Sequence, residues 1–223
     1  MTGSNRSASG VQRRLPGSLH TNSRLSQWIV IRSEGRVTVR TGKVEIGQGI
    51  LTALAQIAAD ELDVALHRVD LEPASTSISP DEGVTSGSRS VQDSGSALRH
   101  ACACVRAIYL QVTAQRTGMP VEAIRVEDGL FLGPAGEIGS YWAQADAALL
   151  DCDASPDAVP KSPSARRIAG ESSLRLDLAD KLFGAPRFLH DLRLPGMVFA
   201  RVVRPPSRGA RLVAPPAKAA AMG

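Results

Sequence analysis

Two short runs of β-favouring residues stand out in the first part of the chain. The first, at residues 28–31, is entirely apolar, and the second, at 37–39, alternates apolar and polar residues, with a Ser-Glu-Gly turn at 33–35 between them. This pattern predicts two antiparallel strands joined as a hairpin. Two further β-favouring residues, Val44 and Ile46, carry strand character up to a glycine-rich corner.

Two longer stretches have apolar residues at every third or fourth position, which is the period of an amphipathic helix. The first covers residues 50–62, and the second covers 98–112 and is expected to end at Gly118. Three shorter elements are also predicted. Residues 69–71 are predicted as a strand, and 124–132 as a hairpin with an Asp-Gly turn. Residues 140–150 are predicted as a helix that is capped by its first residue. This mixture predicts the α+β class, with a mixed sheet and packed helices.

The corner between the first hairpin and the first helix contains Gly47, Gln48 and Gly49. Glycines let the backbone turn sharply and approach a ligand closely. The first N–H groups of a helix have no partner within the helix, so they favour an anion or a ring rich in acceptors. A glutamine can donate and accept hydrogen bonds at the same place. Taken alone, Gly-x-Gly is more typical of an ordinary strand–helix turn, and this alternative stays open.

A hydroxyl-rich loop leads into the second long helix. It contains four hydroxyl side chains, a glycine between them and an arginine, within Thr85, Ser86, Gly87, Ser88, Arg89 and Ser90. Such a turn at a helix start suits phosphate. The alternative is a capping loop in which Ser88 or Ser90 is the N-cap. If the two helix starts converge on one anionic ligand, they bind it better together than either does alone.

The remaining segments suggest the domain organisation. Residues 1–24 are polar and aperiodic and predict a disordered basic arm, whereas 25–150 contain the patterned elements. The proline-rich stretch 151–176 is the clearest linker, and 177–223 begin a further unit. A strand predicted over 198–203 has no hairpin partner after it, so we expect the chain to be cut short or to need another polypeptide.

Charge and hydropathy exclude some classes of protein. The net charge of +4 divides into basic ends and an acidic middle: about +6 over 1–40, −10 over 41–160 and +8 over 161–223. The basic ends lack a basic helix and interleaved aromatic residues, so nucleic acid is not favoured as a partner. No apolar run is long enough for a membrane span or a signal peptide. We therefore expect a cytoplasmic protein, or a periplasmic one only if a partner carries the signal.

Three cysteines are present, at positions 102, 104 and 152. Cys102 and Cys104 lie two residues apart in the predicted helix, roughly 200° around its axis, so they cannot clasp one metal ion. Without a Cys-x-x-Cys pair, neither zinc nor an iron–sulfur cluster is expected. Buried thiols are the better interpretation.

Three motifs, in this order, resemble the molybdopterin-binding large subunit of the xanthine dehydrogenase/aldehyde oxidase family. The resemblance extends over about residues 15–212 and is strongest to the nicotinate dehydrogenase and isoquinoline 1-oxidoreductase type. The motifs are G-K-V-E-I-G-Q-G-I-L-T-A-L-A-Q-I-A-A-D-E-L at 42–62, P-D-E-G-V-T-S-G-S-R-S at 80–90 and D-L-R-L-P-G-M-V-F-A-R-V-V-R-P-P at 191–206.

The resemblance implies a molybdenum–molybdopterin cofactor, with the cytosine dinucleotide form among the alternatives. Gly47, Gln48 and Gly49 would contact the pterin, and residues 85–90 would line its phosphate or dinucleotide end. Residues 177–223 would begin a hammerhead domain, an incomplete α/β unit. Such an enzyme hydroxylates an aldehyde or an N-heterocycle with oxygen from water. Its electrons pass to a small 2Fe–2S subunit and, in some members, to a cytochrome c.

No catalytic residue is predicted in this chain. In the family the catalytic glutamate lies in a later portion of the large subunit, and neither Glu45 nor Glu61 matches its motif. We therefore expect the cofactor-binding part of a molybdenum hydroxylase, inactive by itself and loaded only when the remainder of the large subunit completes it. The alternative is a truncated remnant or an interaction module without enzymatic activity.

Overall fold

The computed structural model describes residues 14–211 and 213. The chain divides into two compact units, Met1–Leu178 and Ala179–Gly223. The described residues form two small three-stranded sheets and three α-helices, which confirms the α+β class. Among residues 14–211, no helix combines the length and the apolar character that a membrane crossing requires.

The first sheet is mixed and contains the predicted hairpin. Its strands are β1 (Ile29–Arg32), β2 (Arg36–Val39) and β3 (Val69–Leu71). β1 and β2 pair antiparallel with Ile29 opposite Val39, and β2 and β3 pair parallel with Val37 opposite Val69. A parallel pair needs a crossover connection, which the first helix supplies.

Helix α1 (Ile50–Leu62) follows the predicted apolar spacing and buries Leu54, Ala58 and Leu62 completely. It ends where Asp63 adopts a left-handed conformation with φ 54°. The strand character predicted for Val44 and Ile46 is wrong: these residues lie outside any strand and are 44% and 71% exposed. β-branched side chains alone cannot make a strand without a neighbouring strand to pair with.

Helix α2 (Ser96–Thr117) packs against α1 and ends at Gly118, as predicted. A π-helical turn, Val91–Gly95, precedes it. A small residue lets this turn approach α1 closely: a Cβ atom on Gly95 would lie 3.1 Å from Cδ1 of Ile57. Cys102 and Cys104 are buried on α2, which confirms the prediction of buried thiols, and burial raises the pKa of both.

The second sheet is antiparallel throughout. Its strands are β4 (Arg125–Glu127), β5 (Leu130–Gly133) and β6 (Gly136–Ser140), in that order. The predicted Asp-Gly turn joins β4 to β5, with positive φ at Asp128 and Gly129. Strand β6 was not predicted, because its sequence has two glycines and one glutamate among five residues.

The helix predicted over 140–150 is wrong in type. Two 3₁₀ turns, Trp142–Gln144 and Ala147–Leu150, replace it. The Oγ of Ser140 does cap the first turn, accepting a hydrogen bond from the N–H of Ala143 at 3.0 Å. The neighbouring Tyr141 packs edge to face against Tyr109 of α2 and Phe131 of β5, with ring centroids 5.2 and 4.9 Å away. This contact attaches the second sheet to the helices.

Part of the predicted disordered arm is ordered. Its residues 1–13 lie outside the described residues, but Gly17–His20 form a 3₁₀ turn that buries Leu19 completely. One leucine in a polar stretch gives no periodic signal. Its burial depends on partners such as the π-helical turn, which are distant in sequence.

The predicted linker packs on α1 despite its prolines. The buried carboxylate of Asp60 accepts hydrogen bonds from the N–H groups of Arg167 and Ile168 at 2.7 and 2.9 Å. Glu61, also buried, accepts from the N–H of Lys161 at 3.0 Å and pairs with Arg106 at 2.9 Å.

The prediction that 25–150 and 177–223 are separate domains joined by 151–176 stays a prediction.

The second unit has little regular structure. Helix α3 (Leu178–Leu182) begins at the boundary between the units, and a 3₁₀ turn follows at Leu189–Asp191. The strand predicted over 198–203 does not form among the described residues, and Val198, Phe199 and Val202 are each more than three quarters exposed. A sequence with strand character stays irregular when no neighbouring strand accepts its hydrogen bonds.

Replacing the buried Leu54 of α1 tests this core. Leu54→Ala should lower the free energy of unfolding by about 3 kcal/mol, because it opens a cavity at a fully buried position. Leu174→Ala is the matched control, since Leu174 is 83% exposed, and it should change the value by less than about 0.5 kcal/mol. Urea unfolding measures both. Equal losses would contradict the packing of α1.

Candidate functional site

The loop before α1, residues 44–49, is a tight glycine turn. Gly47 and Gly49 have φ angles of 108° and 80°, in the left-handed region that favours glycine. Gly47 and Gln48 are exposed, and Gly49 is half-buried where α1 begins. The corner predicted at 47–49 is therefore present, and only glycine adopts its backbone without strain.

The carboxylate of Glu45 occupies the N-terminal end of α1. Its Oε1 accepts hydrogen bonds from the N–H groups of Gly47 and Gly49 at 2.8 and 2.9 Å, and its Oε2 accepts from Leu51 at 3.4 Å. Burial by itself would raise the pKa of Glu45, but these N–H groups lower it below its ordinary value. The N–H groups at this helix start were expected to be unpaired. This expectation is wrong for the N–H groups of Gly47, Gly49 and Leu51.

A second charged residue, Arg175, closes over this loop. It pairs with Glu45 at 3.3 Å, donates to the carbonyl of Gly47 at 2.9 Å and contacts Asp177 at 3.0 Å. The next residue, Leu176, donates its N–H to the Oγ1 of Thr52 in the first turn of α1, at 3.0 Å. The end of the predicted linker thus belongs to this site.

The side chain of Gln48 bonds within its own loop. Its Oε1 accepts from the N–H of Ile46 at 2.7 Å, and its Nε2 donates to the carbonyl of Val44 at 3.0 Å. A primary amide has two acceptor positions and two N–H donors. Within the described residues, one acceptor position and one N–H of the Gln48 amide have no partner, and the side chain is exposed. Gln48 can therefore hold its loop and bind a ligand at the same time.

The structure brings the two predicted loops together. The N–H of Val44 donates to the Oγ1 of Thr85 at 3.0 Å. The ammonium of Lys43, whose residue is only 4% exposed, donates to the carbonyls of Glu82 and Val84 at 2.6 and 3.4 Å. The segment leading to the glycine corner and the segment leading to the hydroxyl-rich loop therefore lie side by side.

Glu82 binds the two segments through its carboxylate. Its Oε2 accepts from the Oγ1 of Thr41 and the N–H of Gly42, both at 2.7 Å, and from the Oγ of Ser94 at 3.0 Å. Its Oε1 accepts from Ser18 at 2.6 Å. The backbones approach so closely here that a Cβ atom on Gly42 would lie 2.4 Å from the carbonyl oxygen of Pro80.

The hydroxyl-rich loop presents its polar groups to solvent. Ser86, Gly87 and Ser88 are exposed, and the last two have φ angles of 65° and 57°. Arg89 pairs with Asp93 on the π-helical turn at 3.2 Å. Exposed ion pairs contribute little stability, so this arginine can turn to another anion at small cost.

The alternative of a capping loop has no support at Ser90. This residue precedes the π-helical turn, and its side chain makes no capping hydrogen bond. The other candidate, Ser88, has the left-handed backbone described above rather than the extended backbone of an N-cap. The hydroxyl groups of this loop are therefore not explained by capping.

Two clefts flank the paired segments. One, of about 420 Å³, is lined by residues of both charges, including Arg14, His20, Asp81, Arg89 and Asp93. The other, of about 450 Å³, lies along Gly42, Val44 and residues 74–83. Gly47, Gln48 and Gly49 are not among the residues that line these two clefts, and the first two are exposed. Within the described part of the chain, no group of three or more His, Cys, Asp or Glu residues could hold a metal ion.

Comparison with known proteins identifies the family of this chain. Residues 7–161 match the family described as the molybdopterin cofactor-binding domain. The chain belongs to this family. It is a segment of the cofactor-binding domain found in large subunits of the xanthine dehydrogenase/aldehyde oxidase kind, which confirms the resemblance noted in the sequence.

Two curated relatives and one solved structure illustrate the relationship. The chain is 36% identical to a nicotinate dehydrogenase subunit of Pseudomonas putida over 185 residues, which are 83% of this chain and 16% of that protein. It is 25% identical to the beta subunit of isoquinoline 1-oxidoreductase from Brevundimonas diminuta, with coverages of 82% and 28%. Quinoline 2-oxidoreductase from Pseudomonas putida 86 aligns with a TM-score of 0.45 and 32% identity, over 54% of this chain and 15% of that one. The chain thus spans less than a third of each relative.

Four residues of this site were not assigned from the sequence: Lys43, Glu45, Glu82 and Arg175. One signal was available for Glu45, because a carboxylate two residues before a glycine turn can reach the N–H groups that follow. No local signal marks Arg175, whose partner Glu45 is 130 residues away.

Removing the carboxylate of Glu82 tests the joint between the two segments. Glu82→Ala should lower the free energy of unfolding by about 2 kcal/mol, since the buried hydroxyls of Thr41 and Ser94 lose their common acceptor. Glu122→Ala, at an exposed position, is the matched control and should change it by less than about 0.5 kcal/mol. Urea unfolding followed by the fluorescence of the buried Trp28 measures both. A negligible loss for Glu82→Ala would show that the joint does not depend on this carboxylate.

Proposed function

We propose that this chain is the part of a molybdenum hydroxylase that holds the molybdopterin cofactor between the loop at 47–49 and the loop at 85–90. The observation that carries the proposal is the pairing of the two segments, in which the N–H of Val44 donates to Thr85. Membership of the molybdopterin cofactor-binding domain family supports the nature of the ligand.

The two loops would take different parts of the cofactor. The amide of Gln48 keeps one donor and one acceptor for the pterin ring, and Gly47 and Gly49 allow close approach. The exposed hydroxyls of Ser86 and Ser88 suit the phosphate, or the cytosine dinucleotide if that form is used. Thr85 joins the loops, and Arg89 and Ser90 complete the phosphate side.

The complete enzyme would hydroxylate an aldehyde or an N-heterocycle with oxygen from water. The cofactor supplies the redox chemistry when it is bound. The base that activates water would come from another part of the large subunit, because the acids here are engaged. Glu45 accepts three N–H bonds, and Glu61 is buried against Arg106. A base held in this way cannot approach a substrate proton.

The proposed partners follow from the same assignment. They are the remainder of the large subunit, a small 2Fe–2S subunit and, as a further electron acceptor, a cytochrome c. Residues 177–223 would begin the hammerhead domain, and the cytoplasm is the proposed location. The names of two relatives support the assembly, since one is a subunit of nicotinate dehydrogenase and the other is the beta subunit of isoquinoline 1-oxidoreductase.

A second candidate function is that of an interaction module without enzymatic activity. It is favoured by the second unit, where Leu194, Val198 and Phe199 are 57%, 87% and 77% exposed. Exposed apolar residues in such number are typical of a surface that another polypeptide covers. This candidate predicts a stable complex without cofactor, which separates it from the first.

Co-expression with the remaining portion of a nicotinate dehydrogenase-type large subunit and its small subunit tests the cofactor assignment. The purified complex should contain molybdenum by metal analysis and pterin by fluorescence after oxidation. Gln48→Ala should lower pterin retention by about tenfold, as expected for a lost hydrogen bond of about 1.4 kcal/mol. Gln115→Ala, exposed on α2, is the control and should retain it. A complex that forms without molybdenum or pterin would refute the assignment and favour the interaction module.

The isolated 223-residue chain should have no hydroxylase activity. The physical reason is that its acids at this site are held by N–H groups and arginines, so no base is available. Turnover of aldehydes and N-heterocycles is measured with a redox dye as the electron acceptor, and an intact molybdenum hydroxylase is the positive control. Any turnover by the purified chain above that of the dye alone would contradict this prediction.

A further inference from the structure

The peptide groups on both sides of Gln48 are fixed from two directions. Before it, the carbonyl of Gly47 accepts from Arg175 at 2.9 Å. After it, the N–H of Gly49 donates to Glu45 at 2.9 Å, and Glu45 also accepts from the N–H of Gly47. Without these hydrogen bonds, the two glycines with positive φ would allow the loop many conformations, because glycine has no Cβ atom to restrict the backbone. The position of the Gln48 Cα atom therefore depends on these two charged side chains.

The carboxylate of this charged pair is largely protected from solvent. The Glu45 side chain is only 11% exposed, and the Arg175 side chain is 35% exposed. Asp177 also holds the guanidinium through two hydrogen bonds, from Nε at 3.1 Å and from Nη2, the nitrogen that also pairs with Glu45, at 3.0 Å. The arginine is thus oriented before it reaches the loop, which favours one geometry of the loop over others.

We propose that Glu45 and Arg175 are positioning residues that set the orientation of Gln48 toward the cofactor. This proposal rests on the proposed function. It extends the cofactor-binding unit beyond the family match, which ends at residue 161, to a segment that ends at Asp177. Neither residue touches the reacting atoms; both act through the loop.

One consequence concerns where an anion binds. The N–H groups at the start of α1 already hold the carboxylate of Glu45, an internal anion. A phosphate arriving there would have to displace a carboxylate with three N–H donors and an arginine partner. The phosphate end of the cofactor is therefore assigned to the loop at 85–90, and the corner at 47–49 is left with the pterin.

The proposal makes the loop sensitive to acid. The charged groups that face Glu45 are Arg175, which pairs with it, and Asp177, whose negative charge opposes it. Because the folded-state pKa of Glu45 is lowered, its contribution to stability is present above the ordinary value of 4.5. It is lost as the pH falls through the folded-state pKa, below that value.

Amide NMR on the 15N-labelled 223-residue chain tests the positioning directly. The amide protons of Gly47 and Gly49 should shift together between pH 6 and 3, with one apparent pKa below the 4.5 of an ordinary glutamate. Glu45→Gln should abolish this titration, whereas Glu34→Gln, at an exposed turn position, should leave it unchanged. A shared titration shows that one carboxylate holds both N–H groups, and its loss in Glu45→Gln assigns that carboxylate. Flat amide shifts in the wild type would overturn the proposal even if Glu45→Gln failed to fold.

Pterin retention in the co-expressed complex tests the link to the cofactor. Glu45→Gln and Arg175→Gln should each retain about tenfold less pterin than the wild type. Glu34→Gln and Arg125→Gln are the controls at exposed positions, and both should retain it. If the wild type holds pterin and folded Glu45→Gln holds as much, the positioning role is refuted. If the wild-type complex holds none, the proposed function fails, while the glycine titration still decides whether Glu45 sets the loop.

Discussion

The carboxylate of Glu82 joins segments that are far apart in the chain, and the geometry of the candidate site depends on it. It accepts hydrogen bonds from Ser18, Thr41 and Ser94, which belong to the N-terminal turn, the segment after β2 and the π-helical turn. The buried ammonium of Lys43 reinforces the joint through the carbonyl of the same glutamate. Buried polar groups are stable only when they have hydrogen-bond partners, and here a single carboxylate is the partner of several neighbours. Together with the hydrogen bond from Val44 to Thr85, this joint places the two loops side by side.

The candidate site uses negative charge inside the protein to arrange the surface where we propose that the cofactor binds. Glu45 fills the helix N-terminus that would otherwise attract a phosphate, and Arg175 neutralises it. What remains exposed is the amide of Gln48, a neutral group that can donate and accept. The hydroxyl-rich loop is the site that we propose for the anionic groups, and it lies before a π-helical turn, an element that is frequent at functional sites. The two loops therefore differ in chemistry although both precede a helix.

Elements with a strong period were predictable, and those that depend on distant partners were not. Helices α1 and α2 and the first hairpin follow the apolar spacing, so their residues alone indicate them. Strand β6 was missed because its glycines carry no pattern, and it forms only because β5 supplies the hydrogen bonds. The strand predicted over 198–203 fails for the opposite reason: its pattern is strong, but no described strand pairs with it. The burial of Leu19 and the packing of the segment around Arg167 depend on buried partners on other elements, so their own sequences do not indicate them.

The sequence by itself determined the α+β class, the two long helices, the glycine corner and the hydroxyl-rich loop, because each rests on local spacing or on the conformational freedom of glycine. Its three motifs also indicated the family. Only the tertiary structure decided that the two loops are neighbours and that Glu82 joins them. It also decided that Glu45 holds the N–H groups of the corner under Arg175, a residue 130 positions later in the chain. A contact at such separation leaves no local pattern, since it exists only once the core has brought α1 and the end of the first unit together.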